Sequence, residues 1–196
     1  MKLVHRLISA AAALLMLSGT AACGTSSEVS GTAARGTSSE ESQTAPDFGS
    51  LPAITLTSED LHDGVWDTDI TKTAKGSNRS PQLSWQPVEG AACYAVYMVD
   101  TSANYWLHWK SGNVTETELA AGAAPDTEYV GPYPPSGTHN YEIRVYALKE
   151  AVTESRSKFD SSNAGFDNMA VALDKTGSGE GNVLAYGTLT GTYTHS

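Results

Sequence analysis

The sequence predicts a mostly β domain, an antiparallel β-sandwich with one or two short helices. The apolar run Cys93–Val99 is typical of a strand that is buried on both faces of a sheet. Other stretches partly alternate polar and apolar residues, as half-buried strands do, and long turn-rich connections separate them. Apolar residues recur at helical spacing in one segment, so helices contribute little to the expected fold.

In chain order, the folded domain is expected to occupy residues 51–196. Its strands are predicted at Ile54–Thr57, Leu83–Trp85, Cys93–Val99, Trp106–Val114, Tyr141–Leu148 and Leu184–Tyr193. One helix face is indicated by the spacing of Phe166, Met169, Ala170 and Leu173. Many strands with little helix favour a β-sandwich over a helical bundle.

Residues 1–22 resemble a bacterial lipoprotein signal peptide. Two cations, Lys2 and Arg6, precede an apolar run, Leu7–Leu17, that is too short for a permanent membrane-spanning helix. Small residues then lead directly to Cys23, which in such signals becomes the lipidated first residue. The alternative is ordinary cleavage that leaves Cys23 as a free thiol. The sequence thus predicts a protein anchored by lipid to the extracytoplasmic face of the bacterial cell membrane.

Residues 23–50 begin with this cysteine and continue as a stretch rich in Ser, Thr, Gly and Glu. The stretch lacks apolar periodicity, and its composition is typical of a disordered tether. A flexible chain of that length has a root-mean-square reach of roughly 25–30 Å. We therefore expect the folded domain to stand just clear of the membrane surface.

The charge of the chain excludes one class of partner. The sequence has 12 Lys and Arg against 22 Asp and Glu, a formal net charge of −10. Removal of residues 1–22 leaves 10 cations against 22 acids, a net charge of −12. So acidic a chain is unsuited to nucleic acid, whose binding depends on cations that neutralise phosphates. Any anion site must be a local pocket whose own donors overcome the repulsion from the net negative charge of the chain.

A proline-rich loop, Gly131–Gly137, precedes the strand predicted at Tyr141–Leu148. Three prolines and two glycines in seven residues exclude a helix or a central strand and indicate a rigid, shaped turn. His139 and Tyr141 follow the loop two residues apart, so they share one face of the chain. The loop is expected to deliver an imidazole and a phenol to one place, as in a binding site.

Three further side chains lie near predicted strand ends. Asp100 follows the apolar strand directly, and Trp106 and His108 share one face of the next strand. Together with His139 and Tyr141 they offer a carboxylate, an indole, two imidazoles and a phenol. For an isolated histidine, a structural role is the competing interpretation, in which a buried ring is hydrogen-bonded to a backbone carbonyl.

Several motifs occur in a fixed order along the chain, at residues 76–85, 94–100, 106–109, 131–141 and 184–193. Their residues and order resemble the phosphatidylethanolamine-binding protein family, in particular its bacterial Raf kinase inhibitor-like branch, over residues 51–193. The resemblance implies an antiparallel β-sandwich with a small pocket that binds phosphate, acetate or phospholipid head-group-like anions. It also implies a set of pocket residues, namely Asp100, Trp106, His108, Gly131, Pro132, His139 and Tyr141.

The sequence departs from the family pattern beside this pocket. The usual Asp-Pro-Asp-Ala-Pro stretch is Asp100-Thr101-Ser102-Ala103-Asn104 here, so both prolines and the second acid are missing. Asn140 stands where the family often has arginine, which removes a positive charge near the mouth. How this pocket wall is built, and whether a second carboxylate takes part, stays open from the sequence.

The chemistry of these residues is consistent with an anion pocket. His108 and His139 are expected to donate to phosphate oxygens, and the Tyr141 hydroxyl to add a donor. Asp100 is expected to hold a histidine in its donating tautomer and to favour the protonated form. Backbone N–H groups of the 131–137 loop would add further donors. Free phosphate should bind weakly, because association offsets most of the gain from a few such hydrogen bonds.

Other classes of function remain open at this point. Two histidines and Asp100 could form a metal site of an enzyme, and Ser136 could be a hydrolase nucleophile, although it lacks the strand-turn-helix context of one. A protein-interaction module, such as an inhibitor of a kinase or protease, could use the same fold. We expect a surface-tethered binding protein and not an enzyme, without metal or cofactor. Its expected partners are a phosphate-bearing small molecule or phospholipid head group, with a protein partner as a further option.

Overall fold

The structure, a computed structural model, describes residues 47–195. Its strands are β1 Leu61–His62, β2 Val65–Trp66, β3 Leu83–Ser84, β4 Cys93–Asp100, β5 Trp106–Val114, β6 Glu118–Leu119, β7 Thr138–Leu148 and β8 Val183–Thr194. The helices are α1 Asp167–Asp174 and two short 3-10 turns, Phe48–Ser50 and Thr68–Ile70. The predicted signal peptide, the lipidated Cys23 and most of the tether lie outside the described residues. Within them, no helix is long and apolar enough to cross a membrane.

The strands form one large sheet and one small one. The large sheet has six strands in the order β1-β2-β8-β7-β4-β5, and β3 pairs with β6 in the small sheet. Neighbours are antiparallel except β2 and β8, which run parallel. The prediction of a mostly β domain with few helices is confirmed. The predicted antiparallel sandwich holds only in part, because the second sheet is a pair of two-residue strands and one strand pair is parallel.

Strand β4 is the centre of the fold, and every one of its residues is buried. Residues such as Val96 and Met98 face a core that also contains Trp66 and Trp109. Residues of the opposite parity face α1, where Phe166 and its helical neighbours cover the sheet. A strand covered on both faces can be apolar throughout, which explains the run that predicted it.

Two predicted strands differ from the observed ones for identifiable reasons. No strand forms at Ile54–Thr57. Ala53, just before it, makes an isolated bridge to Tyr186 of the large sheet, and Thr57 makes one to Ser84 of the small sheet. The segment therefore passes between sheets and extends neither. Strand β7 begins at Thr138, before the predicted start at Tyr141, because residues 138–140 pair with the end of β8.

Candidate functional site

The register of the large sheet brings three separate motifs together at one end. Asp100, the last residue of β4, pairs with Trp106 at the start of β5 and with Tyr141 near the start of β7. The side chains of paired residues lie on the same face of a sheet. The carboxylate, the indole and the phenol therefore form one row across three strands.

His108 is aimed by an irregularity in β5. Met98 pairs with Trp109 and Val99 pairs with Leu107, so His108 is the extra residue of a β-bulge. A bulge turns a side chain away from strict alternation and is common next to functional sites. The His108 ring meets the Tyr141 ring edge-on, with 5.3 Å between centroids.

These residues surround a cavity of about 630 Å³. Small-molecule sites in proteins typically measure roughly 300–1,000 Å³. Five of the seven pocket residues implied by the sequence line it, namely Asp100, Trp106, His108, Gly131 and His139. A second cleft of about 450 Å³ lies beside α1, but none of the seven implied residues lines it. The larger cavity is therefore the candidate site.

His139 is held by a buried carboxylate. Its Nδ1 lies 2.6 Å from Oδ2 of Asp100, and the exposed fractions of the two side chains are 16% and 4%. The other oxygen of Asp100 accepts a hydrogen bond from the backbone N–H of Ser102 at 2.8 Å. With Nδ1–H directed at Asp100, neutral His139 presents a bare Nε2 to the cavity. The expectation that Asp100 selects a donating tautomer is thus corrected: only protonated His139 donates to an anion.

His108 has a different partner and a different protonation preference. Its Nδ1 lies 2.8 Å from the carbonyl oxygen of Val130, and a carbonyl can only accept, so Nδ1 carries the proton. Burial lowers the pKa of His108, and the nearby Val130 carbonyl and Asp100 carboxylate offset this only in part. Neutral His108 therefore presents Nε2 as an acceptor. The sequence assigned this histidine a donor role, and the backbone contact reverses it.

The lowered pKa of His108 predicts a pH dependence of stability. Unfolded His108 titrates near ~6.5, whereas the folded side chain protonates at lower pH. Between the folded-state pKa and about 6.5, the unfolded state binds more protons than the folded state. The free energy of unfolding therefore decreases as the pH falls below about 6.5, because burial favours neutral His108. His108→Asn keeps a donor for Val130 but does not titrate. Urea unfolding of both proteins from about pH 5 to pH 8 should show this loss in the parent and not in the variant; parallel curves would contradict it.

Tyr141 and Pro132 support the cavity without lining it. The Tyr141 ring is fully buried and stacks against His139, with 6.4 Å between centroids. Burial and the adjacent Asp100 carboxylate raise the pKa of Tyr141, and its hydroxyl is sealed from solvent. Pro132 is buried and its carbonyl accepts the backbone N–H of Lys72 at 3.0 Å. Tyr141, predicted to donate to the ligand, packs against His108 and His139 and does not line the cavity.

The backbone of the 131–137 loop is already engaged at its first residue. The N–H of Gly131 donates to Oδ1 of Asn78 at 2.8 Å, and the three prolines of the loop have no N–H to offer. The expected donor from Gly131 is thus not free for a ligand. Asn78 belongs to the motif at residues 76–85, so this motif positions the loop and does not line the cavity itself.

Sequence reasoning did not assign several residues of the cavity wall or mouth, among them Lys72, Ala103 and Asp160, and left Tyr133 undecided. Lys72 lies only four residues before the motif at 76–85, which is the one signal that could have drawn attention to it. Asp160 lies far along the chain and accepts a hydrogen bond from Nε1 of Trp106 at 3.2 Å. The chain thus supplies a second carboxylate and a cation from elsewhere.

The short connection between β4 and β5 explains how Asp160 reaches this place. Asn104 and Tyr105 have left-handed backbones, with φ of 51° and 54°, which makes the turn tight. The Asn104 amide donates to the hydroxyl of Ser162 at 2.7 Å, and the N–H of Leu107 donates to the carbonyl of Ser161 at 2.9 Å. These contacts hold the loop that contains Asp160 against the start of β5.

Comparison with known proteins agrees with the fold and the motifs. The model of the phosphatidylethanolamine-binding protein family matches residues 42–194. The chain belongs to the phosphatidylethanolamine-binding protein family. The predicted family is therefore confirmed over the whole region that the motifs span.

Two curated proteins with sequence similarity come from microbes. The chain is 35% identical over 97 residues to the UPF0098 protein of Methanothermobacter thermautotrophicus, a match that covers 39% of this chain and 64% of that protein. It therefore spans less than two thirds of that relative. The chain is 28% identical over 170 residues to LppC of Mycobacterium tuberculosis, which is named a lipoprotein, with 76% and 83% of the two chains covered.

Two solved structures of the phosphatidylethanolamine-binding protein family share the fold. A homologue from Chlamydia trachomatis matches with a TM-score of 0.56 at 22% identity, over 74% of this chain and 99% of that one. YbcL of Escherichia coli matches with a TM-score of 0.54 at 25% identity, over 73% and 99%. The family fold thus occupies the part of this chain that contains the candidate site.

Proposed function

We propose that this family member is a binding protein, not an enzyme, that holds a small phosphate-like or phospholipid head-group-like anion in the cavity. The observation that carries the proposal is the pair of His139 and Asp100, which are 2.6 Å apart at the cavity wall. With Nδ1 engaged by Asp100, the Nε2 edge of His139 faces a space that Lys72 also lines.

The strength of binding follows from the few charged donors available. A hydrogen bond to a charged group contributes about 1.5–3 kcal/mol, and association itself costs at least several kcal/mol. Protonated His139 and Lys72 therefore hold free phosphate weakly. Trp106 and Tyr133 line the same cavity with 37% and 61% of their surface exposed, so the rest of a larger ligand has aromatic rings to contact.

The enzyme alternatives fit the geometry less well. Both oxygens of Asp100 are engaged, by His139 and by the Ser102 N–H, so the carboxylate of a two-His, one-carboxylate metal site is already occupied. Among residues 47–195, no group of three or more His, Cys, Asp or Glu is arranged to hold a metal. Ser136 is exposed on the loop and does not line the cavity, which weighs against a nucleophile there.

A protein-interaction module is the second candidate function, and the exposed Trp106 and Tyr133 favour it. Exposed aromatic side chains are frequent anchors of protein interfaces. Capture of surface proteins by the parent and by His139→Ala separates the two roles. Equal capture by both would show that the interaction does not use the anion site.

We also propose that lipid at Cys23 anchors the domain to the extracytoplasmic face of the cell membrane. The sequence pattern before Cys23 and the lipoprotein name of the distant relative LppC support this. Cells grown with an alkyne fatty acid should label the parent and not Cys23→Ser. Equal labelling of both, or of neither, would contradict the anchor.

Lys72 provides the sharpest test of the binding site, because the chain contains a matched control three residues later. Lys72→Gln should weaken phosphate binding at about pH 8 by about tenfold or more, since it removes a permanent cation from the cavity wall. Lys75→Gln removes the same charge from a side chain that does not line the cavity. Calorimetric titration compares the three proteins. Equal weakening by both substitutions would mean that only the overall charge of the domain matters.

A further inference from the structure

The cleft beside α1 carries positive charge only. It measures about 450 Å³, and the cations Arg156 and Lys158 line it. None of the described residues that line it is acidic. Acids outnumber cations by 22 to 12 in the chain, so the charge of the cleft is opposite to that of the whole protein. The cleft shares no lining residue with the large cavity, so the two are separate.

Three carboxylates in or just before the segment that forms this cleft have their contacts elsewhere. Glu154 is buried, with 1% of its side chain exposed, and its carboxylate lies 3.2 Å from Nζ of Lys110. Asp167 accepts a hydrogen bond from Arg144 at 3.1 Å, and Asp160 lines the large cavity instead. The two cleft cations, by contrast, form no ion pair within the described part of the chain. Their charges are therefore available to a ligand.

The backbone that presents the two cations is held in place. The N–H of Arg156 donates to the buried Glu154 carboxylate, which Lys110 of β5 also contacts. The N–H of Lys158 donates to Oδ1 of Asn163 at 2.7 Å, and the Asn163 amide donates back to the Lys158 carbonyl at 3.0 Å. A loop that is already ordered loses less conformational entropy when a ligand binds. The cleft is thus a prepared surface for negative charge.

Asn168 adds a third unengaged group to the cleft. It lies in the first turn of α1, and its side-chain amide makes no hydrogen bond within residues 47–195. The other polar side chains there, those of Ser157, Ser162 and Asn163, are hydrogen-bonded within the protein. An amide can donate to the C=O and accept from the N–H of a peptide unit. The cleft thus presents two cations and one amide.

We propose that this cleft binds an acidic segment of a partner protein. Two carboxylates of the segment contact Arg156 and Lys158, and a peptide unit of its backbone meets the amide of Asn168. A guanidinium forms two parallel hydrogen bonds with one carboxylate, and a lysine ammonium attracts another as a point charge. This interaction surface goes beyond the anion cavity and does not depend on it.

Two fluorescent peptides of equal length test this surface. One contains two glutamates separated by a serine, and the other has glutamines in their place. The full chain should bind the acidic peptide at least about tenfold more tightly at low ionic strength, as measured by fluorescence polarisation. The net negative charge of the chain opposes this preference, so only a local positive site produces it. Equal binding of the two peptides, or binding of neither, would overturn the proposal.

Three substitutions of exposed cations separate the cleft from the overall charge. Arg156→Gln and Lys158→Gln should each weaken binding of the acidic peptide by about threefold or more. Lys149→Gln removes the same charge from an exposed side chain that does not line the cleft, so affinity should stay within about twofold of the parent. Equal weakening by all three would mean that only the net charge matters, which would overturn the cleft as the binding site.

A competitor and a cavity variant define the ligand and its location. Glutarate has two carboxylates but no peptide unit, so it should displace the fluorescent peptide less effectively than the unlabelled peptide does. Equal displacement would overturn the peptide as ligand. His139→Ala changes the large cavity alone and should bind the acidic peptide as the parent does. Loss of peptide binding in His139→Ala would place the peptide in the large cavity and overturn the proposal.

Discussion

Replacement of Arg79 by alanine is expected to lower the free energy of unfolding by about 3–5 kcal/mol, because it strands a buried carboxylate. Asp60 is 5% exposed and accepts hydrogen bonds from both terminal nitrogens of Arg79, at 2.6 and 3.0 Å. The backbone N–H of Gln82 donates to the same carboxylate at 2.6 Å. Without the guanidinium, the buried charge of Asp60 has lost its only ion pair within residues 47–195.

Urea unfolding measures this loss, and Arg156→Ala is the matched control. Arg156 is exposed and forms no ion pair within the described residues, so its removal should change stability by about 0.5 kcal/mol or less. Similar small losses for both variants would show that the Arg79 pair contributes no more than a surface contact.

The effect of Arg79 should depend on pH in a defined direction. Burial alone would raise the pKa of Asp60, but the hydrogen bonds from Arg79 and Gln82 outweigh it and hold the pKa below its ordinary value of 3.8. The ionised Asp60 carboxylate therefore stabilises the folded state above about pH 3.8, and this stabilisation is lost as the pH falls through the lower pKa of Asp60 in the folded state. The difference between parent and Arg79→Ala should therefore shrink in acid. A difference that stays constant down to about pH 3 would contradict this account.

Substitution of Gly131 by alanine is expected to cost about 2 kcal/mol or more and to weaken phosphate binding. A Cβ at this position would lie 2.2 Å from the Ile70 carbonyl oxygen and 2.7 Å from the Lys72 backbone nitrogen. Both neighbours are backbone atoms, which cannot rotate away. The segment that contains Lys72 must therefore shift, and Lys72 moves with it.

Gly112→Ala is the control for this substitution. Gly112 lies in β5, and a Cβ there would meet no atom within 4 Å. Thermal unfolding and phosphate titration of both variants separate a local clash from a general effect of losing a glycine. If Gly131→Ala keeps full stability and phosphate affinity, the close approach does not position Lys72.

The sequence predicted those elements whose signal lies in the pattern of neighbouring residues. The wholly apolar β4 and the helical spacing around Phe166 are local signals, and both elements occur where they were expected. The segment at Ile54–Thr57 has the alternation of a strand but changes partners midway, which no local pattern reveals.

The sequence predicted most of the polar residues of the candidate site, but not which of their atoms donate or accept hydrogen bonds. Motif order identified five residues that line the cavity, but the proton on His108 depends on the Val130 carbonyl, which is 22 residues away in sequence. Asp160 reaches the cavity only through loop contacts to β5. Hydrogen-bond direction and long-range loop packing are set by the tertiary structure, so a sequence motif alone does not contain them.

The most direct test of the proposed function is thermal unfolding against phosphate concentration for the parent, His139→Ala and the control His62→Ala. His62 is exposed and does not line the cavity; its Nε2 lies 3.5 Å from Oδ2 of Asp67. Binding to the folded state raises stability by RT ln(1 + [L]/Kd), so even weak binding is measurable at high phosphate. We expect the melting temperature of the parent and of His62→Ala to rise with phosphate. We expect no rise for His139→Ala; equal rises in all three proteins, or none in any, would contradict an anion site at His139.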